Sequence, residues 1–225
     1  MTPLGKPLVF YLKYMAEMNR LYQDLEEGEE RDLTGLDDAE RIVEMANMVG
    51  DAASNEMADF LESCGNGIEA HFASLENVTV GRKTRRAKVL TNWFWRTDVR
   101  VPSVGDGWFC CGVSLTAPPE IRLALQKDEC GIVMVWLGSK GGRKGASEVW
   151  NILGGSAHSL GDDLGEDKGL VVLACIPVKP QPPDSFHVDR DALISAVNET
   201  VARINVVQTK AIVSFGSGLK ERDED

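Results

Sequence analysis

Two short stretches, Ile132 to Leu137 and Leu170 to Ile176, contain no polar side chain. A strand with one wet face alternates apolar and polar residues. A run that is apolar at every position therefore belongs inside a sheet covered on both faces. Neither run approaches the roughly 20 apolar residues of a membrane-spanning helix. The chain must build a sheet around these two strands and cover it.

It has the means to do so. With 225 residues, 43% of them apolar, it can bury a substantial core as one generous domain or two small ones. A charged fraction of 26% with 22 Gly and 9 Pro excludes disordered and collagen-like chains.

The N-terminal part reads as helical. Pro7 suits a first turn, and Leu8, Leu12, Met15, Met18, Tyr22 and Leu25 recur at helical spacing over 7–25. A second helix is expected from Asp37, with Glu40 completing a variant capping box. Its apolar ladder runs Ile42, Ala46, Val49, Ala53, Met57, Phe60 and Cys64. Gly65-Asn66-Gly67 is expected to stop or kink it, leaving a short turn with Ile68, Phe72 and Leu75.

Strands follow. Over 87–101 the odd positions include Val89, Trp93, Trp95, Val99 and Val101, and the even positions Lys88, Phe94, Arg96, Asp98 and Arg100. This alternation predicts one half-buried strand whose other face is wet and basic. A return strand is expected over 108–117, then a short helix after Pro118-Pro119. After the first apolar run come one or two helical turns at 146–153 and a polar loop over 154–168. Pro177 to Pro183 is expected to bar further sheet pairing. Asp189 or Asp191 caps a helix carrying Leu193, Val197, Val201 and Ile204, followed by a short strand at 211–215.

These elements predict an α+β (or α/β) fold, with a mixed, mainly antiparallel sheet of about five strands and an N-terminal helical pair packed on it. The expected organisation is an acidic helical pair over 1–76, an α/β sheet domain over 77–215 and an acidic disordered tail over 216–225.

Charge is segregated along the chain. Residues 1–76 carry 5 basic and 17 acidic side chains, residues 77–150 carry 12 and 6, and residues 151–225 carry 7 and 12. The total of −11 therefore hides a basic middle. Either the acidic helices neutralise that middle within the fold, or it forms a patch that attracts an anionic partner.

The densest positive run is Arg82, Lys83, Arg85, Arg86 and Lys88, which feeds into Trp93, Phe94 and Trp95. Cations on phosphates beside rings for stacking are the chemistry of nucleic-acid binders. Strand phase assigns Trp93 and Trp95 to the apolar face and leaves Phe94 on the basic one. A second run, Lys140, Arg143 and Lys144, lies among the glycines of Gly138 to Gly145. Glycines before a helix let backbone amides approach an anion, although no Walker pattern is present.

Catalytic signals are absent. There is no G-x-S-x-G elbow. The element order is similar to the core of the PD-(D/E)XK nucleases, yet the strand Ile132 to Leu137 has none of the acids such enzymes place there. No catalytic residue is assigned. The five cysteines show no C-x-x-C spacing, and His71, His158 and His187 lie in separate segments, so no metal or cofactor is expected. Buried free thiols and the lack of a signal-peptide pattern predict a cytoplasmic protein without a membrane span. The acidic group Asp162 to Asp167 reads as a solvated loop.

The expectation is a non-catalytic cytosolic protein that contacts nucleic acid or another polyanion through Arg82, Lys83, Arg85, Arg86, Lys88, Lys140, Arg143 and Lys144. The alternative is a protein-interaction or chaperone-like adaptor working through the acidic N-terminal helices. An enzyme with a site assembled from distant loops is the third. The discriminating feature is whether the two basic runs share an open face or lie beneath the acidic helices.

Overall fold

The computed structural model describes residues 3–4, 56–88, 92–116, 130–138, 142–154, 158–160, 170–181 and 188–218. The expected helix 7–25, the helix start near Asp37, the helical turn after Pro118-Pro119 and the acidic loop at 162–167 lie outside these residues.

The fold is α+β. Six strands form one sheet: β2 (Thr79–Lys88), β3 (Asn92–Arg100), β4 (Trp108–Thr116), β5 (Gly131–Gly138), β6 (His158–Leu160) and β7 (Leu170–Val178). Their order is β2-β3-β4-β5-β7-β6, and every pairing is antiparallel. A separate two-residue pair joins β1 (Pro3–Leu4) to β8 (Val188–Asp189). Among the described residues the helices are α1 (described over 56–74), α2 (Gly142–Ile152), α3 (Arg190–Ala202) and α4 (Val206–Gly218).

The run 132–137 is an interior strand, as its composition demands, whereas the run 170–176 is interior only over 170–172, where β6 pairs with it. Its residues 173–176 are half-buried and have no outer neighbour among the described residues. β5 lies between β4 and β7, and all eight of its residues are buried. Alternation fixes the faces of the rest. Trp95, Thr97 and Val99 of β3 are buried on one face, with Phe109, Cys111, Val113 and Leu115 of β4 beside them.

The described helices contribute to the main core on that first face through Phe60, Ile68 and Phe72 of α1, Val149 of α2, Val197 and Val201 of α3, and Ile212 and Val213 of α4. Phe72 meets Phe109 edge to face at 5.7 Å and 76°. That geometry adds about 0.5–1.5 kcal/mol beyond the area buried. Polar contacts tie α1 to the far end of the chain. His71 Nε2–H donates to the Ile204 carbonyl at 2.9 Å, and Arg190 donates to Asp59 O at 3.0 Å and Ser63 Oγ at 2.8 Å. Asp189 caps α3 as expected, its carboxylate accepting from the Ala192 amide at 3.0 Å. A cap of this kind stabilises by about 1 kcal/mol.

Several sequence expectations are corrected. α1 runs unbroken through Gly65-Asn66-Gly67. A Cβ at Gly65 would overlap the Trp95 ring, and one at Gly67 would overlap the Asn198 amide. These glycines permit close helix packing and break nothing.

The single strand expected over 87–101 is a pair, because the basic run itself forms β2 and returns as β3. The segment expected as a strand at 211–215 is the middle of α4. Its start is marked by a reciprocal cap: Asn205 Oδ1 accepts from the Gln208 amide, and Gln208 Oε1 accepts from the Asn205 amide, each at 3.0 Å. α2 is longer than one or two turns and takes in Gly142 to Gly145. The loop expected over 154–168 contains β6.

Pro177 lies within β7, opposite Ile132. β6 pairs only with positions 170–172, so beyond them β7 has no outer neighbour among the described residues. A proline is tolerated where its missing N–H faces an unpaired edge.

Candidate functional site

The side of the sheet away from the main core carries a second apolar cluster, made of Cys110, Met134, Trp136 and Val172, with Phe94, Trp108, Leu170 and Cys175 packed against it. Trp136 lies over Gly112, where any Cβ would overlap the indole. Its N–H donates to Ser114 Oγ at 2.8 Å. The Phe94 ring stands against Trp136 at 6.3 Å and 67°. The centre of this face is closed, with Val172 at 0% and Trp136 at 5% exposure. On the β3 side, Phe94, Arg96 and Asp98 are half-buried and Arg100 is exposed.

Register decides where the basic positions of β2 fall. Cross-strand partners in an antiparallel ladder share a face. Arg86 is opposite Phe94, Lys88 opposite Asn92 and Thr84 opposite Arg96, all positions of the second face. Lys83 is opposite Thr97 and Arg85 opposite Trp95, both on the helix-covered face. An irregularity between Val80 and Lys83 takes up Gly81 and Arg82 and sets this phase. The basic run is thus divided by pleating. Lys83 and Arg85 take positions on the side of α1, which carries Glu56, Asp59, Glu62 and Glu69. Arg86 and Lys88 take positions on the face of Arg96 and Arg100, and Arg82 falls in the irregularity.

The second basic run is elsewhere. Lys140 lies outside the described residues. Arg143 and Lys144 are in the first turn of α2, which packs on β7 and β6. β2 is the opposite edge of the sheet. Four strand spacings, about 19 Å, separate β2 from β7, so the backbone does not gather the two runs into one cluster.

Sequence reasoning gave Arg96 and Arg100 to the basic face without counting them as contacts, and it missed Trp108. The signal for all three was strand alternation continued from β3 to its neighbour. Arg96 has a buried Nε without a hydrogen-bond partner.

Among the described residues, no three His, Cys, Asp or Glu side chains come together as a metal site, and no helix is long and apolar enough to cross a membrane. The five cysteines are free thiols, four buried and Cys175 partly so. Burial pushes Cys64 up to about 12 and raises Cys111, Cys110 and Cys175 as well. These thiols stay protonated at neutral pH and are poor nucleophiles. No family model matches the chain, and no match to it is found among curated proteins or solved structures.

Proposed function

We propose that the chain is a non-catalytic cytoplasmic protein that binds nucleic acid or another polyanion on the basic half of its sheet. One observation carries the reading: β2–β3 register puts the positions of Arg86 and Lys88 on the same face as Arg96 and Arg100, away from the packed side of the described helices. The backbone of an edge strand is a rigid frame for such charges, and a local cationic field attracts anions despite a negative total. Five free thiols support the reducing compartment. Arg143 and Lys144 at α2, with Lys140 before it, make a separate and secondary contact.

The test is a salt titration of affinity for nucleic acid and for heparin. Four phosphate contacts give a slope of about −2.8 in log affinity against log salt for a single strand, a loss of roughly 50-fold between about 50 and 200 mM. The double variant R86A/K88A should flatten that slope by about 1.4 and leave the melting temperature unchanged. K83A/R85A, on the side of the acidic α1, should instead lower the melting temperature and leave the slope intact. The reverse pattern would show that the anion lies on the other face. No binding of either polyanion at low salt ends the reading, because that condition favours it most.

A further inference from the structure

We propose that the polyanion is single-stranded nucleic acid, laid along the β2–β3 half of the second sheet face with a base stacked on Phe94. The inference rests on the polyanion reading above and narrows its ligand. Phe94 is half-buried, between the positions of Arg86 on β2 and Ser114 on β4. Next on the same face of β3 come Arg96, Asp98 and Arg100, the last opposite Trp108. Same-face neighbours on a strand are about 6.8 Å apart, so ring and cations form one linear strip.

The ring is held in place. It stands edge to face against Trp136, which is itself pinned by its hydrogen bond to Ser114 and by its seat on Gly112. A ring fixed in this way loses little freedom when a base stacks on it. Arg96, beside it, has a buried Nε with no hydrogen-bond partner. The Arg96 guanidinium lies two residues from the ring on the same face, and guanidinium–phosphate pairs are strong charge-assisted hydrogen bonds. Among the described side chains of this strip, Asp98 is one acid beside Arg96 and Arg100.

The shape of the surface favours a single strand over a duplex. Duplex readers insert a helix or a free two-stranded ribbon into a groove about 12 Å wide. Here β2 and β3 are continuous with four further strands, and the described helices pack on the other face. Duplex bases also keep their faces stacked on one another, whereas unpaired bases can splay onto an aromatic side chain.

The experiment uses the full chain and fluorescence anisotropy with end-labelled, mixed-sequence strands of about 20 nucleotides, longer than the usual sites of about 4–16. A blunt duplex of the same length, unlabelled polyglutamate and heparin serve as comparisons. The single strand should bind at least about tenfold more tightly than the duplex. Phe94→Leu keeps an apolar contact with Trp136 but removes the stacking surface, and should weaken the single strand at least about fivefold without changing the duplex. Arg96→Gln should reduce the single-strand salt slope by about 0.7. Should Phe94→Leu fail to fold, the wild-type comparison and Arg96→Gln decide.

Equal affinity for strand and duplex overturns the inference and leaves the polyanion reading standing. So does displacement by polyglutamate as effective as by unlabelled strand, which would mark charge alone, or an acidic polypeptide, as the ligand. If neither nucleic acid nor heparin binds, the polyanion reading falls first and takes the inference with it.

Discussion

Replacing Gly65 by Ala should destabilise the protein by about 1–3 kcal/mol, the cost of overpacking a closed contact. Helix propensity alone argues the other way, since Ala in a helix interior is favoured over Gly by about 0.8–1 kcal/mol. The contact decides the sign. The added methyl would overlap the ring of Trp95, which is fully buried and has no room to withdraw. For a chain of this length each kcal/mol moves the melting temperature by about 2–4 °C, so calorimetry resolves the effect. Asn66→Ala is the control: its position is exposed in the same turn, and only propensity acts there. Asn66→Ala should be neutral or slightly stabilising. If both substitutions raise the melting temperature, the α1–β3 contact is looser than described.

Alkaline pH should unfold the protein through its thiols. Cys64 stands at about 12 against an ordinary 9.0, and Cys111, fully buried, is also raised. Desolvation is the leading cause in each, partly offset at Cys64 by the charge of Arg190. The native thiol keeps its proton over a range where the unfolded thiol has lost it. The native state then binds more protons, and stability falls as pH rises. This contribution is fully present below the unfolded value and disappears on approach to the folded one. The slope is about −1.4 kcal/mol per pH unit for each such thiol. Urea denaturation at a series of pH values from about 8 to 11 measures it, in the range where unfolded thiols ionise. Cys64→Ala should make the profile shallower by about one proton, whatever it does to stability at neutral pH. An unchanged slope in that variant would show that Cys64 ionises as readily in the native protein as in the unfolded chain.

What the sequence disclosed depended on whether the deciding contact was local. The run at 132–137 announced an interior strand because every position must be covered, while the run at 170–176 met that expectation only where β6 pairs with it, at 170–172. The faces of β3 were legible for a similar reason: Trp95 and Val99 alternate with Arg96 and Arg100 over a long stretch. The division into β2 and β3 was not legible, since the alternation passes through Lys88 to Asn92 without Gly or Pro to mark a reversal. Gly65 and Gly67 looked like breakers because the groups that require them, Trp95 and Asn198, lie far along the chain. α4 was misjudged because Ala211 to Phe215 is too short for its period to separate helix from strand. The Asn205–Gln208 cap was the available clue. Division of the basic run between two faces follows from strand alternation once the run is known to be a strand, and the sequence reading missed it by not assigning β2.

The strand order has a consequence for the chain while it is being made. β2, β3, β4 and β5 pair in the sequence in which they appear, but the far side of β5 waits for β7, and β6 pairs only with β7. A ribosome adding about 5–20 residues per second needs a few seconds to travel from Gly138 to Leu170. During that interval β5 presents the uncharged, proline-free sequence GIVMVWLG along an open edge. Such a segment readily pairs with its like from another chain. The opposite edge, rich in Arg and Lys, repels that association. Yield in the cell therefore depends on how soon β7 arrives, and a longer insertion between α2 and β7 trades expression for aggregate.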